Sequence, residues 1–238
     1  MVAMRTHADS SKPNMQRLSH DRLRAMIHFS SPDTVRVAVS QRCDHVAARH
    51  EYRDSLDVRL VQWLQQAGAL AFPTPNKLEP FEGICRWLNG LSPQAVVLSG
   101  GNDLGDCPAR DATEAALLDY AASEDLPVLG ICRGMQMLAS REGGTLARIS
   151  GHIGTVHAIV ATQGVELPGR VNSFHSWALV DCPDDYEILA KAPDGTIEAI
   201  RHSIRNWEGW MWHPERDTAF DPATLTRARL LLRGDPFQ

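Results

Sequence analysis

The chain has 238 residues, 43% of them hydrophobic and 22% charged, and a formal net charge of −5. The acidic balance gives no reason to expect a nucleic acid or an anionic membrane surface as partner, and no run approaches the roughly 18 apolar residues of a membrane-spanning helix. The length suffices for one α/β domain with a substantial core.

Residues 1–33 are polar and lack the continuous apolar segment of a secretory signal. They read as a mobile tail, with a short helix allowed over 16–29, ahead of a single domain over 34–238. Val35–Ser40 reads as a buried first strand. Leu56, Val58, Leu60, Val61 and Leu64 form a stripe that predicts a helix over 51–67, ended by Gly68. A short strand over 70–72, a helix over 81–88 and a buried strand over 94–98 follow, the last opening into Ser99-Gly100-Gly101. Residues 111–123 read as helix, 127–131 as strand and 135–140 as helix, broken at Gly143-Gly144. Shorter strands are expected at 156–160, 177–181, 186–190, 196–201 and 208–212, with a final helix over 222–232. Strands separated by helices at this spacing imply parallel βαβ units. The expected fold is a doubly wound, mostly parallel α/β sheet flanked by helices, with ligands at the strands' carboxyl ends.

The five cysteines (43, 85, 107, 132 and 182) are odd in number and widely spaced. That argues against a disulfide framework and for a reducing cytoplasm. There is no CxxC pair, so no zinc site is expected. Cys43, His45 and His50 are read as a loop rather than ligands, and no metal or organic cofactor is expected.

Gly130-Ile131-Cys132-Arg133-Gly134 follows an apolar strand. A Gly-x-Cys-x-Gly step from strand into helix holds a nucleophile on a strained, exposed turn, and the helix N-terminus favours a thiolate there. The competing reading is an inert, buried small residue. Downstream, an apolar strand runs straight into His213-Pro214-Glu215, and in extended chain residues i and i+2 share a side. A thiol nucleophile needs a base, and the base needs an orienting group. Taken singly, His213 would be a core or capping histidine and Glu215 a solvated acid; with Cys132 they complete a triad.

Together with Leu98-Ser-Gly-Gly-Asn102, Gln136, Val171-Asn-Ser-Phe-His175 and Gly209-Trp-Met-Trp-His-Pro-Glu215, these residues resemble the class I glutamine amidotransferase and γ-glutamyl hydrolase superfamily over roughly residues 35–233. Val39-Ser-Gln-Arg42, Ser99-Gly-Gly-Asn-Asp-Leu104, Gly151-His-Ile-Gly-Thr-Val-His157 and Met211-Trp-His-Pro-Glu-Arg216 are similar, more narrowly, to the γ-glutamyl-CDP-amidate hydrolases of bacterial capsule phosphoramidate biosynthesis. The resemblance implies a flavodoxin-like fold and attack of Cys132 on the γ-carbonyl of a γ-glutamyl amide, through a γ-glutamyl thioester. It implies backbone amides of Gly101 and Arg133 as oxyanion donors, Gln136 against the glutamyl group, and Ser173, Phe174 and His175 holding that group's α-amino and α-carboxyl ends largely through backbone groups.

A nucleotide-linked leaving group would suit guanidinium, which binds phosphate oxygens through paired donors. Arg42 is the first candidate for that role, ahead of Arg53, Arg216, His152 and His157. Asn102 and Asp103 are expected to help select the leaving group. Trp177, Trp207 and Trp210 invite base stacking, which core packing explains equally well. The readings are a stand-alone hydrolase of γ-glutamyl-CDP-amidate or of other γ-glutamyl amines, a glutaminase subunit feeding ammonia to a separate synthetase, and a non-enzymatic scaffold. A homo-oligomer is allowed.

Overall fold

The computed structural model describes residues 34–79 and 82–235; the tail over 1–33 and its helix lie outside them. The described chain begins with β1 (Val35–Ser40), a hairpin of β2 (Arg42–Val46) and β3 (Glu51–Ser55), α1 (Val58–Gln66), β4 (Ala69–Thr74) and α2 (Glu82–Leu91). Then come β5 (Ala95–Leu98), α3 (Pro108–Ser123), β6 (Val128–Ile131), α4 (Arg133–Arg141), β7 (Leu146–Arg148), β8 (Ile153–Ala158) and β9 (Val160–Ala161). The rest is β10 (Arg170–Phe174), β11 (Trp177–Leu179), β12 (Tyr186–Lys191), β13 (Ile197–His202), β14 (Trp207–Trp210) and α5 (Pro222–Arg233).

One sheet organises these elements in the order β4-β1-β5-β6-β14-β13-β12-β9. The run from β4 to β14 is parallel and the remaining pairs are antiparallel. The central strands β5 and β6, buried on both faces, are continuously apolar rather than alternating, as in Ala95–Leu98. Successive side chains go to opposite faces. Val37, Val39, Val97, Leu129 and Ile131 meet Leu60, Trp63 and Leu64 of α1 and Leu231 and Leu232 of α5. Ala38, Val96, Leu98 and Val128 meet Leu88 of α2, Leu117 and Leu118 of α3 and Met135 of α4. Helix ends follow local chemistry: Asp57 caps α1 by accepting from the Arg59 amide, and Asp221 with Pro222 starts α5, which Gly234 ends. No described helix is long and apolar enough to cross a membrane.

Two expectations are corrected. Residues 51–55 form a strand paired with 42–46, not the first turns of a helix. The apolar stripe starts only at Leu56, and Glu51, Tyr52, Arg53 and Asp54 are all exposed, so a helix there would have no face to bury. The cysteines are not all free: Cys43 and Cys107 form a disulfide. The β2–β3 hairpin carries Cys43 back to the start of α3, a juxtaposition across 64 residues that linear spacing does not reveal. Cys85, Cys132 and Cys182 remain thiols. Strands β2, β7 and β10 lie outside the expected elements.

A cross-link over a loop of this length is expected to contribute about 2–4 kcal/mol. Urea unfolding with and without reductant should differ by that amount in the wild type and not in Cys43→Ser; equal stability in both conditions would remove the bond's structural role.

Candidate active site

Three strand ends converge on one edge of the sheet. Cys132 follows β6 and precedes the first residue of α4, with φ 52° and ψ −103°. A non-glycine residue at positive φ of this kind is strained by about 1–3 kcal/mol. Its amide donates to the Trp210 carbonyl at 2.7 Å, which fixes the turn against β14. The flanking glycines are required by space: a Cβ on Gly130 would lie 2.5 Å from the Gly134 carbonyl carbon.

His213 follows β14, which ends at Trp210, and a single 3-10 turn, Pro214–Arg216, comes next. The pair therefore meets across a turn rather than along an extended strand, and Nδ1 of His213 donates to Oε1 of Glu215 at 2.7 Å. Both residues are buried. The ring lies so close over Gly100 that any Cβ there would collide with its Cε1. Burial disfavours the charged imidazole, but hydrogen bonds to Cys132 and Glu215 and the negative charge of both outweigh it and raise the pKa to about 9.

Asn172, inside the Val171–His175 motif, and two arginines outside every motif hold this geometry. Asn172 of β10 accepts from the His213 amide at 3.0 Å and donates to the His213 carbonyl at 2.7 Å. Arg59 of α1 donates to the Glu215 carbonyl at 2.8 Å. Arg110, fully buried, donates to the carbonyls of Ser99 and Gly100, at 2.5 and 3.1 Å, and to that of Gly101. It also pairs with Glu114 at 2.9 Å, while Glu114 binds Arg133 and accepts from Ser40 at 2.8 Å. The only sequence signal for this network is an i, i+4 Arg–Glu spacing in an alanine-rich helix, which is usually a solvated pair.

The other expected residues divide. Gln136 is buried and its amide donates to the Trp177 carbonyl at 3.3 Å. Ser173 is buried, with its hydroxyl on the His152 carbonyl at 2.6 Å. The His175 ring is turned toward Glu198, as are those of His152 and His157. Phe174 is 42% exposed and packs edge-on against His213. The Asn102 side chain clasps the Cys43 backbone, accepting at 2.9 Å and donating at 3.1 Å, so it positions the β2–β3 hairpin. Asp103 accepts from the Trp177 indole at 2.9 Å. Trp207 and Trp210 are core residues.

Two adjoining cavities share Gly101, His213 and Arg216 as lining. One of about 190 Å³ is lined by Gly101, Cys132, Gln136, Phe174, His213 and Arg216. The other, about 230 Å³, is lined by Arg42, Ser99, Gly100, His213, Glu215 and Arg216. A larger cavity, about 530 Å³, lies along α5 and is lined by none of Cys132, His213 and Glu215, so its size carries no functional weight.

The folded pKa of His213 lies above the ~6.5 of a free histidine, so its contribution to stability is complete below about pH 6.5 and is lost as pH rises through about 9. Urea unfolding across this range should show declining stability that His213→Gln abolishes; a profile unchanged by the substitution would discount the pairing.

The Peptidase C26 family profile matches residues 35–215. The chain is 36% identical over 134 residues to the γ-glutamyl-CDP-amidate hydrolase of Campylobacter jejuni, an alignment covering 54% of this chain and 65% of that protein. It is 30% identical over 137 residues to a subunit of the glutamine-hydrolysing GMP synthase of Methanothrix thermoacetophila, covering 55% and 75%. A crystal structure from Thermoplasma acidophilum, assigned as a subunit of GMP synthase, superposes with a TM-score of 0.64 at 18% identity, covering 84% of this chain and 94% of that one. That likeness establishes a shared fold, while the family match extends across most of the described sheet and through the His213–Glu215 turn: the chain belongs to Peptidase C26, the class I glutamine amidotransferase-like hydrolases that work through a cysteine.

Proposed function

We propose that the protein hydrolyses a γ-glutamyl amide through a thioester on Cys132. The observation that carries this reading is the buried His213, held between Cys132 and Glu215 with its pKa raised to about 9 beside a strained cysteine turn. The sulfur attacks the γ-carbonyl, and negative charge moves to the carbonyl oxygen. Preorganised backbone amides are suited to receive it. Arg110 binds the Gly100 carbonyl, so the N–H of the same trans peptide, that of Gly101, points away from Arg110. Arg133 is the first residue of α4, and its amide has no intrahelical acceptor. As the tetrahedral intermediate collapses, His213 protonates the departing nitrogen and the γ-glutamyl thioester remains. Water, deprotonated by His213, releases glutamate and restores the thiol. Glu215 keeps the imidazole in the required tautomer.

On the leaving-group side, Arg42 lies against Gly101 and Arg216 lies over the Phe174 ring. Two guanidinium groups bordering the cavities suit a diphosphate-bearing leaving group. With the similarity to the Campylobacter hydrolase, this favours γ-glutamyl-CDP-amidate as substrate, yielding glutamate and cytidine diphosphoramidate. Similarity to the GMP synthase subunits supports a second reading, in which glutamine is the substrate and the ammonia goes to a separate synthetase.

Glutamate release from glutamine, γ-glutamyl amines and γ-glutamyl-CDP-amidate separates these readings. The nucleotide-linked amide is expected to have the highest kcat/KM; comparable turnover of all three would defeat the CDP-amidate assignment. Cys132→Ala should lower kcat by more than about 10⁴-fold. Arg42→Ala should raise KM for the nucleotide-linked substrate by about tenfold, the scale of one charged hydrogen bond, and leave glutamine hydrolysis unchanged.

A further inference from the structure

A second group of chemistry-bearing side chains lies outside the triad. His152 precedes β8, His157 is on β8, His175 follows β10, and Glu198 is on β13. Each presents one ligand atom, and the four atoms lie within 4.8 Å of one another. Oε1 of Glu198 is 3.5 Å from Nδ1 of His152, 3.5 Å from Nε2 of His157 and 3.7 Å from Nε2 of His175. Glu198 is 0% exposed, and neither of its oxygens has a hydrogen-bond partner. The three inward ring nitrogens are equally without partners.

The outward nitrogens are all engaged by acceptors. Nε2 of His152 meets Asp194 Oδ2 at 2.8 Å, Nδ1 of His157 the Ala158 carbonyl at 3.0 Å, and Nδ1 of His175 the Trp177 carbonyl at 2.9 Å. An acceptor on one ring nitrogen holds the proton there and leaves the other as a lone pair. Three lone pairs thus converge on a carboxylate with no donor among them. One extra proton would satisfy one ring and leave two lone pairs facing the acid. A divalent cation satisfies all four groups at once, and leaving them unmatched in the interior costs several kcal/mol.

We propose that His152, His157, His175 and Glu198 form a structural zinc site. Three imidazoles and a carboxylate suit a borderline-soft cation, and the count fills a tetrahedron without an open position. Zn–N bonds of about 2.0–2.1 Å place tetrahedral ligand atoms roughly 3.3–3.4 Å apart, a little inside the present His–Glu separations. The site would fasten the β8–β10 hairpin to β13. Asn172, which grips the His213 backbone, and Phe174, which packs on its ring, belong to that hairpin. The ion is a fastener, remote from the reacting sulfur in role, and the hydrolysis needs no step through it.

Metal analysis of the full chain, purified without a metal-affinity tag, tests this. Wild type and Cys132→Ala should each retain about one zinc per chain after desalting; the cysteine variant excludes capture by the nucleophile. His157→Ala, the least buried of the three histidines, and Glu198→Gln should each retain less than about a tenth of that. Cobalt loading should give the visible absorption of a tetrahedral ion in wild type and Cys132→Ala and not in His157→Ala. A chelator should lower the wild-type Tm, and zinc should restore it. Folded wild-type protein that takes up neither zinc nor cobalt at micromolar concentration would overturn the proposal, as would equal uptake by His157→Ala and Glu198→Gln. Neither result depends on which γ-glutamyl amide is cleaved.

Discussion

One buried carboxylate ties the working edge of the sheet together. Glu114 binds Ser40 at the end of β1, Arg110 beneath the turn after β5, and Arg133 in the turn after β6. Each of these strand ends carries part of the candidate site. Buried ion pairs of this kind add little net stability, because desolvation offsets much of the attraction. What this one supplies is geometry: Arg110 has donors enough to fix three successive carbonyls, and the amides between them are oriented as a result. The cost of burying the charges is met by a network in which nearly every polar atom has a partner.

His213 shows the same division between local chemistry and remote support. Its own sequence neighbourhood supplies Glu215 and a short turn. Its position comes from elsewhere, through Asn172 on the β8–β10 hairpin and Arg59 on α1 behind the 215 carbonyl. The absence of a side chain at Gly100 lets the ring descend onto the turn.

What is legible in the sequence follows from the range of the interactions. The Gly-x-Cys-x-Gly elbow and the His213–Glu215 pair are local, within five residues each, and both can be read directly. So can the strand and helix succession and the two glycines after β5. The Cys43–Cys107 bond, the reach of Arg110 and Glu114 to Ser99–Gly101 and Arg133, and the histidine cluster join residues from separate elements, and linear spacing shows of them only the Arg110–Glu114 pair within one helix. The strand over 51–55 is misread as helix when the apolar stripe that begins at Leu56 is extended backwards over residues with no buried face. Resemblance places Ser173 and His175 against substrate largely through backbone groups, a role that leaves their side chains free to turn inward to His152 and Glu198. From that segment the exposed Phe174 ring packs edge-on against His213.

The cavities therefore have walls of two kinds. Behind Cys132, nearly every side chain is interlocked with the interior, and a substitution there is felt through the fold. The other walls carry Arg42, Phe174 and Arg216, all partly exposed and borne on short elements. Surface changes of this kind usually alter stability by no more than about 0.5 kcal/mol. Under the proposed reading, drift at Arg42 and Arg216 exchanges one leaving group for another while the wall behind Cys132 stays fixed, so a lineage built on this scaffold can change what it releases without relearning how to cut.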